Sequence, residues 1–71
     1  MTKKDKAVLT TTVYAIHGVV DMLNEMAEKE ARKFKYITDS KAAMELRRLS
    51  DLVATAALEI KNSIETLPID E

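Results

Sequence analysis

Apolar residues recur at Leu9, Val13, Ile16, Val20, Leu23, Ala27, Phe34 and Ile37, at steps of four and three, with Glu30 in the one remaining place. A four-three repeat keeps one face of a helix in register with a neighbour, so the spacing predicts a long helix with a heptad seam over about residues 4–36. Beside the seam runs a second set, Val8, Thr12, Ala15, Val19, Met22 and Met26, in the same rhythm and shifted by one residue. One helix therefore carries two adjacent apolar stripes, and a single neighbour covers only one of them. Thr10, Thr11, Thr12 and Gly18 weaken the first half, because β-branched residues and glycine both lower helix propensity. A strand over Val13–Val20 is the alternative, with no second strand in view to pair with it.

The seam has to stop near Ile37, since the same register would carry Lys41, Met44, Arg48 and Asp51 into the core. Thr38, Asp39 and Ser40 supply the break: their short polar side chains compete with helix by bonding nearby backbone and favour N-cap positions. The expected turn is 37–39, with Ile37 packing forward on Ala42 as a hydrophobic staple. A second helix follows over about 40–66, registered on Ala42, Leu46, Leu49, Val53, Ala56 and Ile60 and resuming at Leu67 after a polar step at Ser63. Ala42, Ala56 and Ala57 are small enough for a neighbouring helix to approach closely. Pro68 forbids continuation, and a frayed tail over 67–71 is expected.

Seventy-one residues suffice for one small domain, and a single glycine and a single proline are too few for a fold rich in turns. The expected architecture is an all-α antiparallel helical hairpin of two long helices. The absence of cysteine excludes disulfides and thiolate metal sites, and the single histidine argues against zinc. A core this small supplies no more than about 3–5 kcal/mol on its own. The uncovered stripe therefore points to association, most simply a homodimer forming a coiled-coil-like four-helix bundle. Val8, Thr12, Ala15, Val19, Met22 and Met26, with Leu52 and Leu58 from the second helix, are the expected interface; docking of the same stripe on a different protein is the alternative.

A net charge of −1 gives no overall pull toward nucleic acid or anionic membrane. The longest uncharged run, Ala7 to Val20, includes three threonines and a histidine and falls short of a membrane span. Lys3, Lys4 and Lys6 precede it, but Asp5 interrupts them and no A-x-A cleavage pattern follows, so a cytoplasmic location is expected.

Charge is unevenly distributed: seven of the eleven Lys and Arg residues lie between Lys29 and Arg48, against three acids. Within that basic segment, Arg32, Lys33, Lys35, Tyr36, Arg47 and Arg48 are candidate RNA or DNA contacts, with Tyr36 stacking on an unpaired base. Lysines late in a helix also complement its dipole, and the heptad position of Phe34 makes it equally a core residue. Met22 and Met26 suit either bundle core or an adaptable partner surface.

His17 and Asp21 are one turn apart, yet no second histidine joins them. Asp21, Glu25 and Glu28 lack a converging second carboxylate pair of the kind a magnesium hydrolase needs, and read as a solvated face with Glu25–Lys29 and Glu28–Arg32 pairs. No catalytic, cofactor or metal site is expected, and the chain reads as a non-enzymatic protein. The stretch Leu46, Arg47, Arg48, Leu49, Ser50, Asp51, Leu52 resembles the second helix of the small aspartyl-phosphate phosphatases of the sporulation-regulator type. That family places glutamine after the serine and a catalytic aspartate three residues beyond it; Asp51 and Ala54 stand there in this chain, so the phosphatase activity does not carry over. The functional expectation is a self-associating interaction or regulatory protein with a macromolecular target. An inhibitor or accessory protein of phage or plasmid type, or a nucleic-acid-binding regulator, are the alternatives.

Overall fold

A threonine hydroxyl starts the first helix. Thr2 has extended backbone (φ −84°, ψ 160°) and its Oγ1 accepts from the Asp5 amide at 3.1 Å, satisfying one of the amides a first turn leaves unpaired. From there α1 runs over Lys3–Ala31 in the computed structural model, which describes residues 1–70 except for the side chain of Ile37. The threonine triplet is accommodated by back-bonding: the hydroxyls of Thr10, Thr11 and Thr12 donate to the carbonyls of Lys6, Ala7 and Val8 at 3.0, 2.9 and 2.9 Å. Val13–Val20 is helical throughout, so the strand alternative falls.

The first helix ends five residues before the expected Tyr36. Arg32 closes it in right-handed conformation, and amides of Lys33 and Phe34 bond back to Glu30 and Ala31 in tightened turns. The continuation contains Arg32, Lys33 and Lys35 and would project past the start of the second helix, where no facing side chain could offset the cost of ordering it. Phe34 consequently leaves the seam and is about half exposed. A short 3-10 turn, Ile37–Asp39, leads into α2, Lys41–Glu65. Ser40 is its N-cap, its Oγ accepting from the Ala43 amide at 3.1 Å. The expected staple of Ile37 on Ala42 lies outside the described residues, as does Glu71 at the end of the tail.

The two helices pack along their length as an antiparallel hairpin, with Cα extents of 57 × 15 × 10 Å. On α1 the inward line is the expected one from Val13 to Ala27, with Val13 and Ala27 buried and Ile16, Val20 and Leu23 half-buried, whereas Leu9, expected on it, is 38% exposed. On α2 it is turned by one residue. Ala43, Ser50, Ala57 and Ile64 are buried, while Ala42, Leu49 and Ala56, expected there, are exposed; Leu46, Val53 and Leu67 keep their inward places, and Ile60 is 44% exposed. The inward row thus has small side chains at three successive heptad steps, which lets the backbones approach, and it replaces Ser63 by Ile64.

Val13, Ala57 and Ile64 form the one buried apolar cluster among the described residues, with Ile16 and Leu67 packed against it, near the termini. That end is also tied by polar contacts. The amino terminus sits 2.6 Å from the Asp70 carboxylate, and the Lys6 ammonium donates to the carbonyls of Glu65 and Leu67 at 3.0 and 3.1 Å. Lys6 so satisfies carbonyls that the end of α2 leaves without helical partners. Among the described residues, no helix is long and apolar enough to cross a membrane.

Candidate interaction surfaces

The rotation of α2 decides what the hairpin shows to its surroundings. Val13, Val20 and Ala27 form one inward row on α1, and Ala43, Ser50, Ala57 and Ile64 the matching row on α2. In an antiparallel pair, residues immediately before these rows lie along one broad side of the hairpin on both helices, and residues following the other inward row lie along the opposite side. Thr12, Val19 and Met26 therefore share a side with Ala42, Leu49 and Ala56. One helical step further out, Val8, Ala15, Met22 and Leu52 continue the same side together with the charged Lys29, Glu45 and Glu59, and the partly exposed Leu9 and Ile60 border it. Seven of the eight expected interface residues lie on this side, and all eight are exposed. Leu58 does not join them. It stands six residues after Leu52, about 120° round the helix, between Ala54 and Lys61 on the other side.

That other side is of a different character. It carries Thr10, Tyr14, His17, Asp21, Asn24 and Glu28 from α1 and Met44, Arg47, Asp51, Ala54, Leu58, Lys61 and Glu65 from α2. The Tyr14 and His17 rings lie 6.0 Å apart, tilted by 35°, which gives His17 a neighbour other than Asp21. Among the described residues no group of three or more His, Asp and Glu side chains is placed to hold a metal ion. Glu28 and Arg32 pair at 3.6 Å, whereas no ion pair joins Glu25 to Lys29 among the described residues.

At the turn end, the structure sorts the six basic-segment residues. Arg48 is bound by the Glu45 carboxylate, Nε lying 3.1 Å from Oε2, and Lys33 by Glu30 at 2.9 Å. The hydrogen bonds from Arg48 hold the Glu45 carboxyl below its ordinary pKa and, reciprocally, raise that of Arg48. Their contribution to stability is present above the unfolded-state pKa of Glu45 and is lost as pH falls through the lowered folded value; both groups being solvated, it is small. Arg32, Lys35 and Arg47 instead line a shallow open groove of about 390 Å3, with Ala31 and Glu28. Ala31 and Arg47 follow equivalent inward positions, which places this groove on the polar side. Tyr36 is 60% exposed, and the Lys35 ammonium lies 5.5 Å from its ring centre.

Sequence reasoning identified the α1 stripe but not the α2 residues beside it, Ala42, Leu49, Ala56 and Ile60, which it placed inside. The alternative run Ala43, Leu46, Ser50, Val53, Ala57, Ile60, Ile64, Leu67 keeps the same four-three repeat and exchanges the polar step at Ser63 for one at Ser50, so spacing alone did not choose between them, and it too counts Ile60 inward. Comparison with known proteins yields no match: no protein-family model, no curated protein and no solved structure matches the chain.

Proposed function

We propose that this chain is a non-enzymatic interaction protein that forms a two-fold dimer, a four-helix bundle, through its apolar broad side, and presents its polar sides to a macromolecular target. The observation that carries the reading is the imbalance between what the hairpin hides and what it exposes. Among the described residues the buried apolar ones are Val13, Ala27, Ala43, Ala57 and Ile64, and no large side chain is fully buried. Against that stand Val8, Leu9, Val19, Met22, Met26, Leu49, Leu52 and Ile60, each between 36% and 61% exposed and gathered on one side.

Covering such half-exposed side chains contributes on the order of 1 kcal/mol each. Sixteen such side chains from two copies favour association against its ~4–15 kcal/mol cost in lost translational and rotational freedom. A second copy is favoured over a foreign partner because a self-complementary side needs no other chain. A folded state that exists only as an assembly has a concentration-dependent unfolding midpoint. Thermal unfolding followed by circular dichroism over a hundredfold concentration range is therefore expected to show a midpoint that climbs with concentration; a constant midpoint rejects the reading.

A further inference from the structure

We propose that the groove between the end of α1 and the start of α2, lined by Arg32, Lys35 and Arg47, binds the phosphate groups of a single-stranded nucleic acid. The turn end has seven cationic side chains and three acids between Lys29 and Arg48, yet the structure shows that they are not equivalent. Arg48 and Lys33 spend their donors on Glu45 and Glu30. Among the described residues Arg47 and Lys35 have no carboxylate partner, and Arg32 has only the 3.6 Å contact with Glu28. These three converge on one groove of about 390 Å3. Two guanidinium groups and an ammonium stand around this open cleft against one carboxylate, Glu28, and guanidinium groups can donate paired hydrogen bonds to phosphate oxygens.

The second observation is aromatic. Tyr36 is 60% and Phe34 48% exposed at the same end of the hairpin, and Lys35 links Tyr36 to the cationic groove by its 5.5 Å contact. An exposed ring beside phosphate-binding cations suits an unpaired base, which a duplex does not offer. The groove lies on the side opposite the apolar one, so it stays open whether or not two copies associate.

The test is fluorescence anisotropy with a labelled oligouridylate of about 12 nucleotides, within the span single-strand grooves cover, titrated with the full chain at low salt. Binding is expected to weaken with salt, with a log–log slope near −0.7 for each phosphate neutralised. Arg47→Ala and Lys35→Gln are each expected to weaken binding roughly tenfold and to flatten that slope by about 0.7. Tyr36→Leu weakens it with the slope unchanged, and Arg48→Ala leaves affinity within about twofold. Circular dichroism establishes that each variant is folded. No binding at low salt, equal losses from Arg48→Ala and Arg47→Ala, tighter binding of the duplex, or equally tight binding of inorganic tripolyphosphate would each overturn the assignment.

Discussion

The two broad sides of the hairpin are built from the same two helices and differ in almost everything else. One side carries the α1 stripe from Val8 to Met26 beside Ala42, Leu49, Leu52 and Ala56, with charge confined to Asp5, Lys29, Glu45 and Glu59 around that stripe. The other interleaves Asp21, Glu28, Arg47, Asp51, Lys61 and Glu65 with small and apolar residues. The contrast arises from a choice made at the interface between the helices. By turning Ala43, Ser50 and Ala57 inward, α2 gains close approach and moves its larger Leu49 outward to join the surplus stripe of α1. A hairpin selected for its own stability would face the larger side chains inward, since each buried one contributes about 1.5–3 kcal/mol. The arrangement instead keeps intramolecular burial small and leaves large apolar side chains exposed on one side.

Substitution on the two sides is the sharpest way to break this comparison. Leu52→Glu places a charge in the middle of the apolar side and is expected to abolish association and, with it, most of the folded population; Leu58→Glu, a chemically identical change six residues on, is expected to leave mass and helicity intact. Size-exclusion chromatography with circular dichroism distinguishes them, and equal effects would erase the difference between the sides. A smaller effect tests the register of α2. Ala57 is buried and Ala56 exposed. Ala57→Leu should therefore destabilise by about 1–3 kcal/mol through overpacking. Ala56→Leu, on the apolar side, should cost less, as read from chemical denaturation of both variants at one concentration.

Much of this was legible in the sequence, for reasons that particular residues make plain. The α1 seam from Val13 to Ala27 is strongly patterned, and an N-cap within Thr38, Asp39 and Ser40 follows from their short polar side chains, the structure selecting Ser40. The end of α1 was not legible, because heptad spacing continues to Phe34 and only the length of the opposing helix reveals that nothing is there to receive it. The rotation of α2 was ambiguous for a related reason: Ala42 and Ala43, and Ala56 and Ala57, are adjacent identical residues, so pattern alone weighs them equally. Hydrophobicity favoured Leu49 over Ser50 as an inward residue, and close helix approach favours the reverse. At the turn end the sequence supplied six candidate cations and aromatics, whereas pairing with Glu30 and Glu45 depends on side-chain geometry that composition does not contain.

The central claim is that the apolar side of one chain is covered by that of another, and the mass of the folded species in solution tests it most directly. Sedimentation equilibrium at micromolar concentration should return twice the chain mass of 8.0 kDa for the unaltered protein and a dissociated, largely unfolded chain for Val19→Glu. A well-folded species of 8.0 kDa across the whole concentration range, unaltered by the charge at Val19, would contradict it.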